Sequence, residues 1–462
     1  MLNSFPSQST YNIKFQTPLR WWYGFALRYQ DGFKGKREYH VLSQIKFNGS
    51  APMNWFSNQY PWYRVMEKDF KINILRLFNQ PLITLPDLFT SLIHLEILQI
   101  SGCQMMRLPE SLGRLINLKN LQVTENQLTS LPDSLTNCIH LSRLHISHND
   151  ITHLPVSISQ CIFITEIYAS DNKLTMLPEL HMLVRLTSLH VNHNQMMQLP
   201  ESLGKNINFA LPFHTELDTP ISSGPIIFTK QFHLPKPIGV KSFHVAYNQL
   251  TFLPEYLGNY TRLETIDVSN NLLTSLPESL SQCRQLLFLD LSHNLLLQFP
   301  DSMCDCWNLK AIDISYNRLT SFPTMWSLKT LAELNLSNNQ LIKLDNCIGR
   351  YNLHVLMIDH NKLIEFPCQI TQCQALEKLY VNDNLITIIP ESLRKIKTLK
   401  EFNVSNNPLI SIPRSFHKMI RDSSIPDSIE IDYISDISSQ IDSNDTVSTL
   451  NSVDSDISGY ES

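Results

Sequence analysis

The chain has 462 residues, of which 43% are hydrophobic and 17% are charged, and its formal net charge is −5 at pH 7. The acidic excess lies after Arg421, where no Lys or Arg follows, and no part of the sequence has the clustered basic residues that a nucleic-acid-binding surface needs. No run approaches 18 apolar residues and the first residues lack the apolar core of a signal peptide, so we expect no nucleic-acid partner, no transmembrane segment and no secretion signal.

Residues 1–71 precede any regular pattern and are rich in aromatic residues. They contain four of the six tryptophans of the chain. Because this much aromatic surface favours packing over disorder, the segment predicts a folded N-terminal cap on the region that follows. A small module that binds a partner is the alternative.

One motif, L-x-x-L-x-L-x-x-N-x-L-x-x-L-P, recurs through residues 72–421 at a spacing of 22 or 23 residues, with one interruption. A clear copy, LETIDVSNNLLTSLP, begins at Leu263. We number the positions of each repeat from its first residue. So many copies in phase predict a solenoid of about 14 repeats. The repeats begin at Ile72, Leu95, Leu118, Leu141, Ile164, Leu186, Val240, Leu263, Leu286, Leu309, Leu331, Leu353, Leu376 and Leu399.

Each element of the motif has a physical role. The apolar residues at positions four and six alternate with outward-facing residues, which is typical of a short strand. The Asn at position nine follows the strand, where its side-chain amide can bond the backbone of a turn that would otherwise be buried unpaired. The Pro after position fourteen fixes φ at the start of the returning segment. One repeat cannot bury its own apolar face, so the repeats must stack. We therefore predict an α/β solenoid, a horseshoe with a parallel sheet on its concave face.

Cysteine usage indicates a reducing compartment. Five of the nine cysteines lie three residues before a repeat begins, a position that Leu or Ile fills in several other repeats. A position that accepts either residue is a small, buried, apolar site, so these cysteines are predicted to be reduced thiols of a cytoplasmic protein, or of a nuclear one. They are Cys138, Cys161, Cys283, Cys306 and Cys373.

The consensus sequence of the repeat, including the LPESL strings at 108–112 and 276–280, resembles that of the intracellular leucine-rich repeats of the 23-residue LPxSLxxLxxL subtype. That group includes Ras-binding leucine-rich scaffolds, plant Ras-group repeat proteins and the repeat halves of Scribble-like polarity proteins. The resemblance covers residues 72–421 and implies protein binding on the concave face, with small GTPases or phosphatase complexes as partners. The residues that carry the resemblance build the solenoid, so they identify the fold more closely than the partner.

Two further segments depart from the repeat. Residues 209–239 separate the sixth repeat from the seventh, and their prolines and Ser-Ser-Gly string predict a loop, either a tolerated insertion or a contact surface. The tail, residues 422–462, is rich in Ser and Asp and is predicted to be disordered. Three of its serines have an acidic residue three positions later, the pattern that acidophilic kinases favour: Ser424, Ser439 and Ser458.

The candidate binding residues lie at the outward positions of the concave face. Position five is rich in His and Tyr in the middle repeats and acidic in the next three, and aromatic residues accompany the acidic ones at neighbouring positions. Aromatic residues beside charge are typical of binding hot spots. The predicted partner-binding residues are His145, Tyr168, His190, His244, Asp267, Asp290, Asp313, Tyr247, Phe288 and Tyr316.

No metal site, cofactor or catalytic centre is predicted. Two HxxH strings, at 145–148 and 190–193, resemble metal motifs, but their histidines would lie on the order of 10 Å apart along an extended strand. The sequence has no phosphate-binding loop, nucleophile elbow, kinase signature or dinucleotide-binding motif.

From these observations we expect a non-enzymatic protein-binding scaffold or adaptor in intracellular signalling, with a small GTPase as one candidate partner. The alternative is a regulatory or targeting subunit of a phosphatase or ubiquitin ligase complex. The sequence does not fix the oligomeric state.

Overall fold

A computed structural model describes residues 27–31, 37–41, 73–79, 82–85, 92–204, 239–324, 327–344, 348–349, 351–413 and 416. Most of the predicted N-terminal cap, nearly all of the 209–239 insertion and the whole 422–462 tail with its three candidate phosphorylation sites lie outside these residues. The domain boundaries at 71 and 421 therefore stay predictions.

The strands within the described residues form one sheet in which each strand pairs with its neighbours in chain order. The first pair is antiparallel, and every later pair is parallel. The strands are β1 Leu27–Asp31, β2 Arg37–Val41, β3 Ile74–Phe78, β4 Ile97–Ser101, β5 Asn120–Thr124, β6 Arg143–His145, β7 Glu166–Tyr168, β8 Ser188–His190, β9 Ser242–His244, β10 Thr265–Asp267, β11 Phe288–Asp290, β12 Ala311–Asp313, β13 Glu333–Asn335, β14 Val355–Met357, β15 Lys378–Tyr380 and β16 Glu401–Asn403.

The fourteen strands β3–β16 belong to the fourteen repeats, and their register matches equivalent positions. Ile266 pairs with Leu289, which pairs with Ile312, and all three side chains are 2% exposed. The residues on either side of them, at positions three and five, point to the opposite face of the sheet. The predicted solenoid with a parallel sheet is confirmed.

Short 3-10 helices form the other side of most repeats. Each begins directly after the Pro of the motif, and each ends with a backbone hydrogen bond of the type that Leu115 N donates to Leu112 O at 3.0 Å. A repeat of 22 or 23 residues leaves room for little more than one helical turn, which explains why the helical layer is 3-10 rather than α. These helices are Glu110–Arg114, Asp133–Asn137, Val156–Gln160, Glu255–Asn259, Glu278–Gln282, Asp301–Asp305, Cys368–Gln372 and Glu391–Lys395.

The asparagine ladder at position nine has the predicted role. Asn294 is 4% exposed, and its Nδ2 donates to the carbonyl oxygens of Val268, Leu291 and Ser292 at 3.0 to 3.2 Å. Its Oδ1 accepts a hydrogen bond from the backbone N of Leu273 at 3.0 Å. One side chain thus satisfies backbone groups of its own turn and of the preceding repeat, and the same pattern recurs from Asn126 to Asn407.

The five cysteines that precede repeats are buried, as predicted, and none of the eight described cysteines forms a disulfide. Four of the five thiols lie against backbone carbonyls of the preceding repeat; Cys306 Sγ, for example, is 3.7 Å from Leu280 O. Burial raises the pKa of each of the five thiols to about 12, so they remain protonated and unreactive.

The repeats continue in phase across the insertion. Strand β8 pairs directly with β9, with His190 opposite His244, so the sheet is continuous from the sixth repeat to the seventh. At Gly204, the last described residue before the insertion, Asn259 Nδ2 donates to the Gly204 carbonyl and the Gly204 N–H donates to Tyr260 Oη, both at 3.0 Å. Tyr260 occupies the repeat position that Cys or Leu fills elsewhere, and this anchor was not predicted from the sequence.

Candidate protein-binding face

Position five forms a continuous column across the concave face because every strand is in register with the next. The column contains two contrasting stretches. We call His145, Tyr168, His190 and His244 the ring stretch, and Asp267, Asp290 and Asp313 the acidic stretch.

The rings of the ring stretch pack against one another. Their centroids are 5.2 Å apart from His145 to Tyr168, 4.8 Å from Tyr168 to His190 and 4.4 Å from His190 to His244. The last pair is stacked, with 21° between the ring planes. Each of these two histidines also has a hydroxyl on the neighbouring strand: His190 Nε2 is 3.3 Å from Ser242 Oγ, and His244 Nε2 is 3.3 Å from Thr265 Oγ1.

The histidines of this stretch are neutral near pH 7. Burial, and secondarily the neighbouring His244, lowers the pKa of His190 to about 4, although Asp267 opposes the shift. Burial likewise lowers the pKa of His145 and of His244. The ring stretch therefore presents uncharged ring edges rather than positive charge.

The acidic stretch is held by a different set of contacts. Asp290 Oδ1 accepts hydrogen bonds from the backbone N of Ser292 at 2.9 Å and from its Oγ at 2.7 Å, and the same pair of bonds joins Asp267 to Ser269 and Asp313 to Ser315. Burial raises the pKa of Asp290, the Ser292 hydrogen bonds oppose that shift, and the charges of Asp313 and Asp267 add to it. Three partly desolvated carboxylates in neighbouring repeats repel one another, and a cation would relieve that repulsion.

A second row of rings follows position eight, where the backbone is left-handed in nearly every described repeat. Tyr247 stacks on His193 and Tyr316 stacks on His293, each with a centroid distance of 4.1 Å. Both tyrosines are 50% exposed. The predicted residues Tyr247 and Tyr316 thus belong to this row, whereas Phe288 lies at position three beside the acidic stretch.

The two HxxH strings do not produce a metal centre within the described residues. No group of three or more His, Cys, Asp or Glu side chains is arranged there to hold an ion. His148, the last residue of the first string, instead forms an ion-pair contact with Asp171 of the next repeat, with 3.6 Å between His148 Nδ1 and Asp171 Oδ2.

The concave face has a hollow of about 360 Å³ that spans β9 to β14 and includes the acidic stretch. Besides the carboxylates, its lining includes Phe288, Ala311, Glu333 and Val355 at position three and Met357 at position five. Of these five residues, only Phe288 is among the partner-binding residues predicted from the sequence. Position three points to the same face as position five, so examining both columns together would have found them.

Comparisons with known proteins agree with this architecture. Family models for the leucine-rich repeat match residues 238–296 and 398–419. No match was found among curated proteins. Within the described residues, no helix is long and apolar enough to cross a membrane.

Several solved structures are similar to the chain. One is a leucine-rich-repeat protein of Leptospira interrogans, with 24% identity over 73% of this chain and 85% of that one and a TM-score of 0.56. Another is YopM of Yersinia enterocolitica, with 26% identity over 73% of this chain and 66% of that one and a TM-score of 0.52. A third is the ectodomain of the Arabidopsis receptor kinase HAESA, which is bound to a peptide hormone, with 26% identity over 75% of this chain but only 55% of that one and a TM-score of 0.57.

Proposed function

Because the chain is built from leucine-rich repeats, we propose that it is a protein-binding scaffold or adaptor in intracellular signalling that holds its partner on the concave face. The observation that carries the proposal is the open concave face of the sheet across β10–β14. There the acidic stretch borders a hollow that also contains the exposed ring of Phe288. An exposed aromatic ring beside an open hollow is typical of the anchor of a protein-binding site, and the carboxylates around it favour a partner of complementary charge.

The partner that fits this face best is a protein with a basic surface. The acidic stretch contributes three carboxylates, and none of them forms an ion pair with another described residue. A small GTPase, as the resemblance to Ras-binding scaffolds implies, remains the first candidate, and a phosphatase or ubiquitin ligase complex remains the second. The free, buried cysteines support a reducing compartment, which for this proposal is the cytoplasm, with the nucleus as the alternative.

Affinity purification with charge-reversal variants tests this proposal. Wild-type protein, Asp290→Arg and Asp313→Arg are used to capture partners from cell extract, and bound proteins are quantified by mass spectrometry. We expect a basic partner to bind each variant at least about fivefold more weakly, because a close charge pair contributes on the order of 1 kcal/mol or more. Its association rate with the wild-type protein is expected to fall as salt rises.

Gln122→Arg is the matched control, because Gln122 occupies the same column on β5, outside the hollow. It introduces the same arginine at an uncharged position, so it raises the net charge by half as much as the aspartate variants do, and it is expected to retain the partner. A partner whose affinity ignores both Asp290→Arg and Asp313→Arg would contradict docking on the acidic stretch, and the ring stretch would become the better candidate. The two candidate partner classes are separated by which proteins co-purify.

A further inference from the structure

One small residue, Ala311, lies among the residues that line the hollow. The register aligns Phe288, Ala311, Glu333 and Val355 at position three of four consecutive strands. Ala311 is the smallest of the four and lies between Phe288 and Glu333. A gap above Ala311 therefore separates the ring of Phe288 on one side from the Glu333 side chain on the other.

The walls of this gap combine an aromatic ring with carboxylates. Phe288 is 48% exposed, and no other ring of the described chain stacks on it, in contrast to the paired rings of position eight. Asp290 and Asp313 lie two residues further along their strands, about 7 Å from the position-three row. Within the described residues, Asp290, Asp313 and Glu333 form no ion pair with a Lys, Arg or His.

The fold does not require a carboxylate at position five. Asn335 accepts the backbone N–H of Ser337 at 3.1 Å, and Asn403 accepts both the N–H and the Oγ–H of Ser405 at 3.1 and 2.8 Å. The amide thus supports the same turn that Asp290 supports through Ser292. Asp313 Oδ2 also accepts a hydrogen bond from Asn335 Nδ2 at 2.9 Å, but this neutral amide does not remove the charge. The negative charges at Asp267, Asp290 and Asp313 add repulsion that no ion pair within the described residues offsets, which points to a ligand that compensates them.

We propose that the gap above Ala311 binds an arginine side chain of the protein partner, with the guanidinium between Asp290, Asp313 and Glu333 and one planar face on Phe288. Arginine fits better than lysine because its flat, delocalised cation stacks on rings and forms paired hydrogen bonds with carboxylates. The same stacking already occurs inside this protein, where Arg284 lies 5.0 Å from the ring centre of Trp307. This inference rests on the proposed protein-binding function and specifies its anchor residue.

Three pools of synthetic nonapeptides test the inference. The pools have randomised flanks and differ only in the central residue, which is arginine, citrulline or leucine. Citrulline has nearly the shape of arginine without its charge. We expect the full-length protein to bind the arginine pool at least about fivefold more than the citrulline pool, as for a partly desolvated charge pair worth on the order of 1 kcal/mol.

Variants locate the binding to the gap. Ala311→Leu fills the gap without changing any charge, so it is expected to remove the arginine preference while leaving non-specific electrostatic attraction intact. Ser188→Leu is the matched control, because Ser188 is at position three of β8, outside the hollow. Asp290→Asn keeps an acceptor for Ser292 and is expected to reduce the arginine preference about threefold. Urea unfolding verifies that each variant is folded.

Three outcomes would overturn the inference: no arginine preference in the wild-type protein, an unchanged preference in Ala311→Leu, or a leucine pool that binds best. In the last case the hollow is an apolar anchor site. None of these outcomes touches the scaffold proposal if the captured partner still depends on Asp290 and Asp313. Conversely, an intact arginine preference with a partner that ignores both aspartates would refute the proposed docking of that partner.

Discussion

The ring stretch and the acidic stretch occupy the same position of consecutive repeats, yet their side chains make different kinds of contact. Each ring packs against the ring of the next strand, so its contacts cross from repeat to repeat. Each aspartate bonds the serine two residues later in its own repeat, and Asp313 also accepts a hydrogen bond from Asn335 Nδ2 of the next repeat at 2.9 Å. Contacts between repeats stabilise the stack, whereas contacts within a repeat leave the carboxylates mutually repelling and open to the concave side.

If the two stretches differ only in their side-chain contacts, the backbone beneath both of them should be equally stable. Asn194 and Asn294 test this, because each bonds three carbonyls and one backbone N–H, below the ring stretch and the acidic stretch respectively. Replacing either residue by Ala is expected to lower the free energy of unfolding by about 1–3 kcal/mol, because buried backbone groups lose their partners. Urea unfolding measures the effect. An unchanged midpoint for Asn294→Ala would show that the ladder is not buried there.

The two stretches are also expected to respond to acid with opposite signs. The pKa of His190 is about 4 in the folded protein, against an ordinary value of 6.5. Neutral His190 therefore adds stability above pH 6.5, and this contribution is lost as the pH falls from 6.5 towards 4. The groups that face it are Tyr168, His244 and, one strand further, Asp267.

His190→Gln removes this titration, and Gln already occupies the column at Gln99 and Gln122. Between pH 7 and pH 5 the wild-type protein is expected to lose about 1 kcal/mol more unfolding free energy than the variant, after allowance for the partial exposure of the ring. Urea midpoints at the two pH values measure the difference. Equal losses in the two proteins would mean that the ring stretch carries no acid sensitivity.

Acidification is expected to have a smaller and stabilising effect at the acidic stretch. Burial raises the pKa of Asp290, so its charged form destabilises the fold at neutral pH and the penalty is relieved as the pH falls through that pKa. Asp290→Asn is expected to raise the free energy of unfolding at pH 7 by a few tenths of a kcal/mol, because Asn can keep accepting from Ser292. Urea unfolding at pH 7 measures this gain, and Asn335→Asp, the reverse substitution at the same repeat position, serves as the comparison. A clear loss of stability in Asp290→Asn would show that the carboxylate is structural after all.

This contrast was only half visible in the sequence. The 23-residue period fixed which residues share a column, so the neighbourhood of Asp267, Asp290 and Asp313 followed directly from spacing. Ala311 was overlooked because a gap is created by what a residue lacks, and no motif records that. Tyr260 was overlooked because its partner, the backbone of Gly204, lies 56 residues earlier, on the far side of the insertion. Features that depend on the periodic backbone could be predicted, and features that depend on one side chain breaking the period could not.

The smallest effect is expected where the ring stretch crosses the insertion. His190 and His244 form the closest ring pair of the stretch although 54 positions separate them, so we expect the stack to need no contribution from residues 209–239. Deleting residues 209–239 joins Asn208 to Val240 and restores the spacing seen where Asn117 precedes Leu118. Loop-closure entropy changes slowly with loop length, so thermal stability is expected to stay nearly unchanged.

Calorimetry of the deletion variant beside the wild-type protein measures this prediction. Tyr260→Phe is the companion variant, because it removes the hydroxyl that accepts the Gly204 N–H while leaving the insertion in place. If the insertion is only a loop anchored at Gly204, we expect the wild-type protein, the deletion variant and the anchor variant each to unfold in one transition. Separate unfolding of the repeats on the two sides, or a loss of several kcal/mol on deletion, would mean that the inserted chain supports the arc, and the ring stack alone would not explain the continuity from β8 to β9.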